Sequence, residues 1–429
     1  MTSVYQCFDP LKVCIVGRSY PPDFYSEIEN VKVRSAMERV AIETEEDYQK
    51  LISKLEEFNV EILRLDVSDN IDDYKDHRGM MTAAPPMCPR DFSAMVGDTF
   101  YMPSENYGEN FDVENLYLGM LNRQTKPNKV QEKREAVLAQ YFEDLLQPGR
   151  PLSQEAALKS FRGKFDVVQC PWTFLQGIDR EELEKVIIAS ETNTIGSNNK
   201  FPSNKRVYAW NSVREWLKKN NVPIVYDQYI SSANCWRLGK DLFFNYVNII
   251  TKLNEESFLK KWKRLFPDYR VHGVDVPGHG DGSMHPVKEG LIIAIGKEKF
   301  YKDFYPDWEV VKVQSGWGQV KPFLKMKEKN RGRWWIKGEE ENQDLIDYID
   351  TWLDHWVTYV EESVFDVNVL PIDEQNCIVN GYNKDVFDAF DRHSITPHVI
   401  NFRHRYFWDG GLHCITSDIH REGNMKTFW

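Results

Sequence analysis

The chain has no CxxC pair, no run of eighteen apolar residues, no Pro/Gly/Ser-rich linker and no excess of basic charge. Each absence closes a class. Seven dispersed cysteines (Cys7, Cys14, Cys88, Cys170, Cys235, Cys377 and Cys414) lack metal-ligand spacing, so no zinc site or other metal is expected. The first residues, Met1 to Cys7, do not form a basic-then-apolar leader, which with the odd cysteine count predicts reduced thiols in the cytosol. Without a long apolar run, no membrane helix is expected. A formal charge of −12 opposes a nucleic-acid partner, whose phosphates need a basic footprint, and suits a soluble protein with a cationic ligand. Gly278-His279-Gly280-Asp281-Gly282 lacks the Lys-Ser/Thr and helix of a phosphate loop.

What is present reads as an ordinary globular chain, 41% hydrophobic and 28% charged over 429 residues. With no linker to part it, we expect one domain spanning 1–429. One pattern returns: an apolar strand, a turn with Gly or Asp, and a second apolar strand. It predicts β-hairpins over 92–102, 236–244, 292–300 and 367–379. Between them lie helical spacings: Thr44 to Phe58, with Thr44 as N-cap and Glu45-Glu46-Asp47 in the first turn, then Ser212 to Asn220 and Lys384 to Arg392. Such βα repetition with unequal spacing suggests modules about an axis. Residues 304–360 hold Gly316-Trp317-Gly318, a basic stretch and the acidic run Glu339-Glu340-Glu341. They read as an insertion, a solvated excursion with one amphipathic helix over Asp344 to Tyr359, or else a lid.

Near the C-terminus stands Trp408-Asp409-Gly410-Gly411-Leu412-His413-Cys414, followed by a β-prone run ending Asp418-Ile419-His420-Arg421. A thiol on the shoulder of a Gly-Gly turn is placed as a nucleophile would be. Taken alone, it also fits a buried strand cysteine. The order GG-x-H-C and the Asp-x-x-Arg ending resemble the close of the amidinotransferase family, among the guanidino-group-modifying enzymes. Further stretches carry the resemblance: Pro89-Arg90-Asp91, the run from Ser231 through Asn234 to Gly239-Lys240-Asp241, His279-Gly280-Asp281, the segment from Asn368-Val369-Leu370 through Asp373-Glu374 to Arg403, and Asp9-Pro10-Leu11 running to Gly17-Arg18.

That resemblance implies a five-bladed α/β propeller of ββαβ modules with its site in a central channel. It implies Cys414 as nucleophile, His279 as general acid and base, and Asp91 and Asp281 as grips on a guanidinium. Arg90, Asn234, Ser231 and His413 stand beside them as candidate substrate contacts. The chemistry asks for such a set: carboxylates to hold a planar cation, a thiolate to attack a resonance-deactivated carbon, and a proton donor for the leaving amine. One departure stands out. Ser231 occupies the position where the family carries a carboxylate, and a hydroxyl cannot neutralise a cation; Asp227 is one acid that could compensate.

The expected function is therefore transfer of an amidino group from a guanidino donor, with L-arginine foremost, to an acceptor amine such as glycine, through a covalent Cys414 intermediate and a ping-pong course. Two alternatives stay open: a guanidine hydrolase or deiminase with water as acceptor, and a non-catalytic binding propeller. No cofactor is implied. The partners are small-molecule substrates, with no nucleic acid and no membrane, and a homodimer is compatible with the chain. An acceptor carboxylate would need a cation, for which Lys297, Lys299 and Arg403 are candidates.

Overall fold

A computed structural model describes residues 2–67, 85–102, 210–226, 230–245, 255–274, 276, 279–295, 307–313, 334–349, 353, 357 and 365–428. Its strands form five three-stranded sheets of one plan: an antiparallel pair, then a third strand parallel to the middle one. The first sheet joins both ends of the chain, with β1 (Leu11–Val16) between β15 (Thr416–Arg421) and β2 (Glu61–Arg64). The second is β3 (Ala94–Val96), β4 (Thr99–Met102) and β5 (Ile224–Tyr226), and the third β6 (Cys235–Leu238), β7 (Asp241–Asn245) and β8 (Arg270–Val274). The fourth is β9 (Met284–Lys288), β10 (Leu291–Ala294) and β11 (Glu309–Lys312). The fifth is β12 (Leu370–Asp373), β13 (Asn376–Val379) and β14 (Thr396–Val399).

The tight hairpin turns follow from residues that tolerate positive φ; Gly97 and Gly239 sit at φ 59° and 61°. The third expected hairpin is displaced. β10 pairs back onto β9 across Glu289-Gly290, and 296–300 lie outside the described residues. The turn signal at Gly290 outweighs the one at Gly296, because the apolar run Leu291–Ala294 already has a partner upstream.

Helices α1 (Val31–Glu57), α2 (Asn211–Lys219), α3 (Glu255–Leu265) and α4 (Lys384–Arg392) lead into the parallel strands β2, β5, β8 and β14. α1 begins thirteen residues earlier than the Thr44 start expected from sequence. Asn30 caps it, its side chain accepting from the Lys32 and Val33 N–H groups. Thr44 is buried mid-helix, where its hydroxyl accepts a 2.8 Å bond from Trp408 Nε1.

Each middle strand is buried on both faces, and its alternation feeds two cores at once. Val13 and Ile15 of β1 pack with Phe100 and Met102 of β4, while Tyr101 packs with Leu242 and Phe244 of β7. Phe243 turns instead to Ile292 and Ala294 of β10, whose Leu291 and Ile293 meet Cys377 and Val379 of β13. Ile378 then joins Cys14 and Val16 of β1 under α1. Five apolar cores thus lie between successive sheets. The described part of 304–360 is no solvated excursion: Trp334, Leu345 and Ile346, the last two from the helix Gln343–Tyr348, are buried in the α1 core. Among the described residues no helix is long and apolar enough to cross a membrane.

Candidate active site

The chemistry-bearing residues share one topological position. Each precedes the first strand of a sheet: Arg90 and Asp91 before β3, Ser231 and Asn234 before β6, His279 and Asp281 before β9, Asn368 before β12, and His413 and Cys414 before β15. Hydrogen bonds tie these turns together. Ser232 N–H donates to Ser93 O at 2.8 Å and Ala233 N–H to Arg90 O at 3.2 Å, while Asp281 N–H donates to Ala233 O at 3.0 Å.

Cys414 is 1% exposed and held from two sides. Asn368 Nδ2 donates to its Sγ at 2.9 Å, and Asn368 Oδ1 accepts from the His413 and Cys414 N–H groups at 2.9 and 3.2 Å. One amide therefore clamps both the backbone and the sulfur, and its N–H supports negative charge there. A Cβ on Gly411 would stand 2.5 Å from Asn368 Oδ1, so this close approach requires glycine. On the other side Sγ lies 3.8 Å from Asp281 Oδ2, which also accepts from His413 Nδ1 at 2.7 Å.

Burial sets the charges of this group. It pushes the Asp281 carboxyl up to about 7, with Arg90 and His279 pulling the other way. Burial, reinforced by Arg90, keeps His413 neutral, so its Nδ1–H donates to Asp281. His285 on β9 faces the His413 ring edge-on at 4.3 Å and is pushed down to about 3 by burial and nearby arginines.

His279 and Asp91 lie on the accessible side, their side chains 33% and 20% exposed, with His279 Nδ1 3.6 Å from Asp91 Oδ1. Both line a cavity of about 190 Å³ whose other walls include Cys88, Trp408 and Asp409. A Cβ on Gly410 would lie 2.8 Å from Cys88 Sγ and 3.3 Å from Cys414 Cβ, so Gly410 sits between that wall and the Cys414 turn.

Three expected contacts sit elsewhere. Arg90 has no exposed surface; its Nε donates to His413 O and Thr416 O at 2.8 and 2.9 Å, which fixes the Cys414 turn from behind. Its guanidinium joins a buried hub in which Asp418 meets Arg237, Arg421 and Arg90 at 2.9, 2.7 and 3.2 Å. Three cations around one carboxylate hold Asp418 well below the usual range. Asn234 Oδ1 accepts from Gly280 N–H at 3.2 Å, which makes it a brace for the His279 loop. Arg403 is bound to Asp47 and Glu46 of α1 rather than turned toward substrate. Ser231 is buried in its turn, and Asp227, Lys297 and Lys299 lie outside the described residues. Sequence reading did not assign Asn368, His285 or Cys88 to the site; Asn368 had a signal, as the start of a stretch that carries the resemblance in the fourth expected hairpin, and His285, like His272, lay near His279 in the chain but lacked its following Asp. Among the described residues no group of three His, Cys, Asp or Glu is placed to hold a metal ion.

No protein-family model matches the chain. The mitochondrial glycine amidinotransferase of Xenopus tropicalis is 24% identical over 210 residues, 48% of this chain and 41% of that protein. The L-arginine:L-lysine amidinotransferase of Pseudomonas savastanoi pv. phaseolicola is 20% identical over 274 residues, 61% and 65% of the two chains. The chain is a relative of the amidinotransferases. It spans less than half the length of the glycine amidinotransferases it matches. Two solved amidinotransferases share the fold over 100% of this chain and 99% of theirs. The enzyme of saxitoxin biosynthesis from Microseira wollei has a TM-score of 0.54 at 13% identity, and the inosamine-phosphate amidinotransferase of Streptomyces griseus 0.50 at 15%. Amidinotransferase relatives thus share the α/β architecture described above.

Proposed function

We propose that the protein is an amidinotransferase, moving an amidino group from a guanidino donor to an amine through a covalent Cys414 intermediate. The observation that carries the reading is the setting of Cys414 Sγ, 2.9 Å from the Asn368 amide donor and 3.8 Å from the Asp281 carboxylate. A sulfur held this way has an acceptor for its proton and a donor for its charge. On this reading the five sheets of one plan, with an apolar core between successive sheets, are taken as blades about an axis, and the hydrogen bonds between the five turns support a shared site there.

The guanidinium enters as a cation and lies against Asp91 and Asp281. Cys414 gives its proton to Asp281, whose raised affinity for a proton suits it to take one near neutrality. The thiolate attacks the guanidinium carbon, and the C–N bond to the leaving amine breaks as His279 supplies that nitrogen with a proton. An amidino-thioether remains on Cys414. An acceptor amine then loses a proton to His279 and attacks the same carbon, and sulfur departs as thiolate. Asp91, beside His279, orients the imidazole and supplies the charge that Ser231 lacks.

L-arginine is the donor proposed, on the names of the relatives. The test is mass spectrometry of the intact protein after exposure to arginine. Cys414 should gain about 42 Da, the mass of CH2N2, as ornithine appears. Steady release of citrulline without transfer to any amine would favour the hydrolase; no adduct and no ornithine would leave only a binding protein.

A further inference from the structure

The cavity beside His279 and Asp91 says which acceptors the protein takes. Its walls are apolar and rigidly mounted. Trp408 is pinned through its Nε1 to Thr44, Trp210 packs on Phe100 with centroids 6.3 Å apart, and Met87 is held through its carbonyl by the Tyr48 hydroxyl at 3.1 Å. Leu65, Phe92 and the prolines Pro85, Pro86 and Pro89 add to the apolar surface. Among the described residues, the ionisable lining groups are the carboxylates of Asp91 and Asp409, the imidazole of His279 and the Cys88 thiol. A volume of about 190 Å³ is below the ~300–1,000 Å³ usual for drug-sized ligands, so the occupant is a small molecule.

An α-amino acid is a poor match. Its carboxylate would be desolvated against Leu, Phe and Trp with two like charges nearby. Arg403, the described one of the three candidate cations for such a carboxylate, is taken up by the acids of α1. An ammonium on an apolar body fits every wall: the charge is drawn to Asp91, Asp409 and the indole faces, and the hydrocarbon replaces water at the remainder.

We infer that this cavity is the acceptor site and that the acceptor is a small amine on an apolar or aromatic body without a neighbouring carboxylate. The inference rests on the amidinotransferase reading, and its test has an arm that does not need turnover. In that arm the full-length Cys414→Ala protein is titrated calorimetrically with benzylamine, isoamylamine and glycine. Saturable binding of the two apolar amines at least tenfold tighter than glycine is expected; glycine binding as tightly as they do overturns the assignment.

In the second arm the unmodified protein is given arginine and the same amines, and the amidino products are quantified by mass. At least a tenfold preference in kcat/KM for the apolar amines over glycine is expected. If the Cys414 adduct forms but glycine is the better acceptor, the acceptor class is wrong and the transferase stands. If the apolar amines bind the Cys414→Ala protein but the unmodified protein forms no adduct, the transferase reading fails and the acceptor assignment with it. Asp409→Asn, which keeps a residue type that tolerates the φ of 50° found there, should narrow the preference for the apolar amines over glycine severalfold, because it removes a charge that repels the glycine carboxylate. An unchanged preference in that variant would remove Asp409 from the recognition and count against the electrostatic half of the inference.

Discussion

Two sides of the site differ in kind. Around Cys414, the side chains of His413, Asp281, Arg90 and Asp418 are at most 3% exposed and linked by hydrogen bonds and ion pairs, with the equally buried His285 set against the His413 ring. In front, His279 and Asp91 are partly exposed on a small apolar cavity. The contrast teaches where each task is done. The buried side is pre-organised and has charge placed before any substrate arrives, so its residues set how the sulfur reacts. In the proposed reaction the open side meets two different amines in turn and exchanges protons with each, which calls for a histidine that ligands can reach.

The contrast can be broken first at the sulfur. Cys414→Ala should remove adduct formation and lower turnover by about 10⁴–10⁶-fold, as measured by ornithine release. His279→Gln should cost roughly 10²–10⁴-fold, with the loss in both half-reactions if one imidazole serves both amines. Asn368→Ala tests the buried side without touching substrate. It removes three bonds at 2.9–3.2 Å, and kcat should fall about 10–100-fold while KM changes little. A fall in KM alone would deny Asn368 its positioning role.

Stability should show the same division. His285 is held near 3 in the fold against 6.5 for an ordinary histidine, so the unfolded chain binds more protons throughout that window. Stability is therefore lost as pH falls from 6.5 toward 3, and His285→Asn should flatten that loss relative to the parent in denaturant titrations. Asp281, raised by burial, works in the opposite sense between 3.8 and about 7 and is common to both proteins. The smallest effect is expected at Thr44→Val, which removes the Trp408 bond and should cost about 1 kcal/mol in the same titrations.

Much of the fold was legible because its signals are local. A turn glycine between two apolar strands names a hairpin, and α4 was read to the residue, where the structure shows Asn383 capping it. The start of α1 was misread because Thr44 and three acids imitate a helix beginning, whereas Asp47 in fact serves Arg403, 356 residues away. At the site, residue types were readable but not their duties. Nothing local distinguishes an arginine that grips substrate from Arg90, which bonds the backbone 323 residues on.

By itself, the sequence determined the hairpins, the apolar faces and the presence of a thiol beside a flexible turn, since each depends on backbone preference and periodicity within about a dozen residues. Tertiary structure alone decided that β15 completes the sheet of β1, that an amide 46 residues upstream holds the Cys414 sulfur, and that Asp281 reaches it from 133 residues away. Those outcomes depend on how sheets stack around buried cores, and a side chain's partner and charge are set by that packing rather than by its neighbours in the chain.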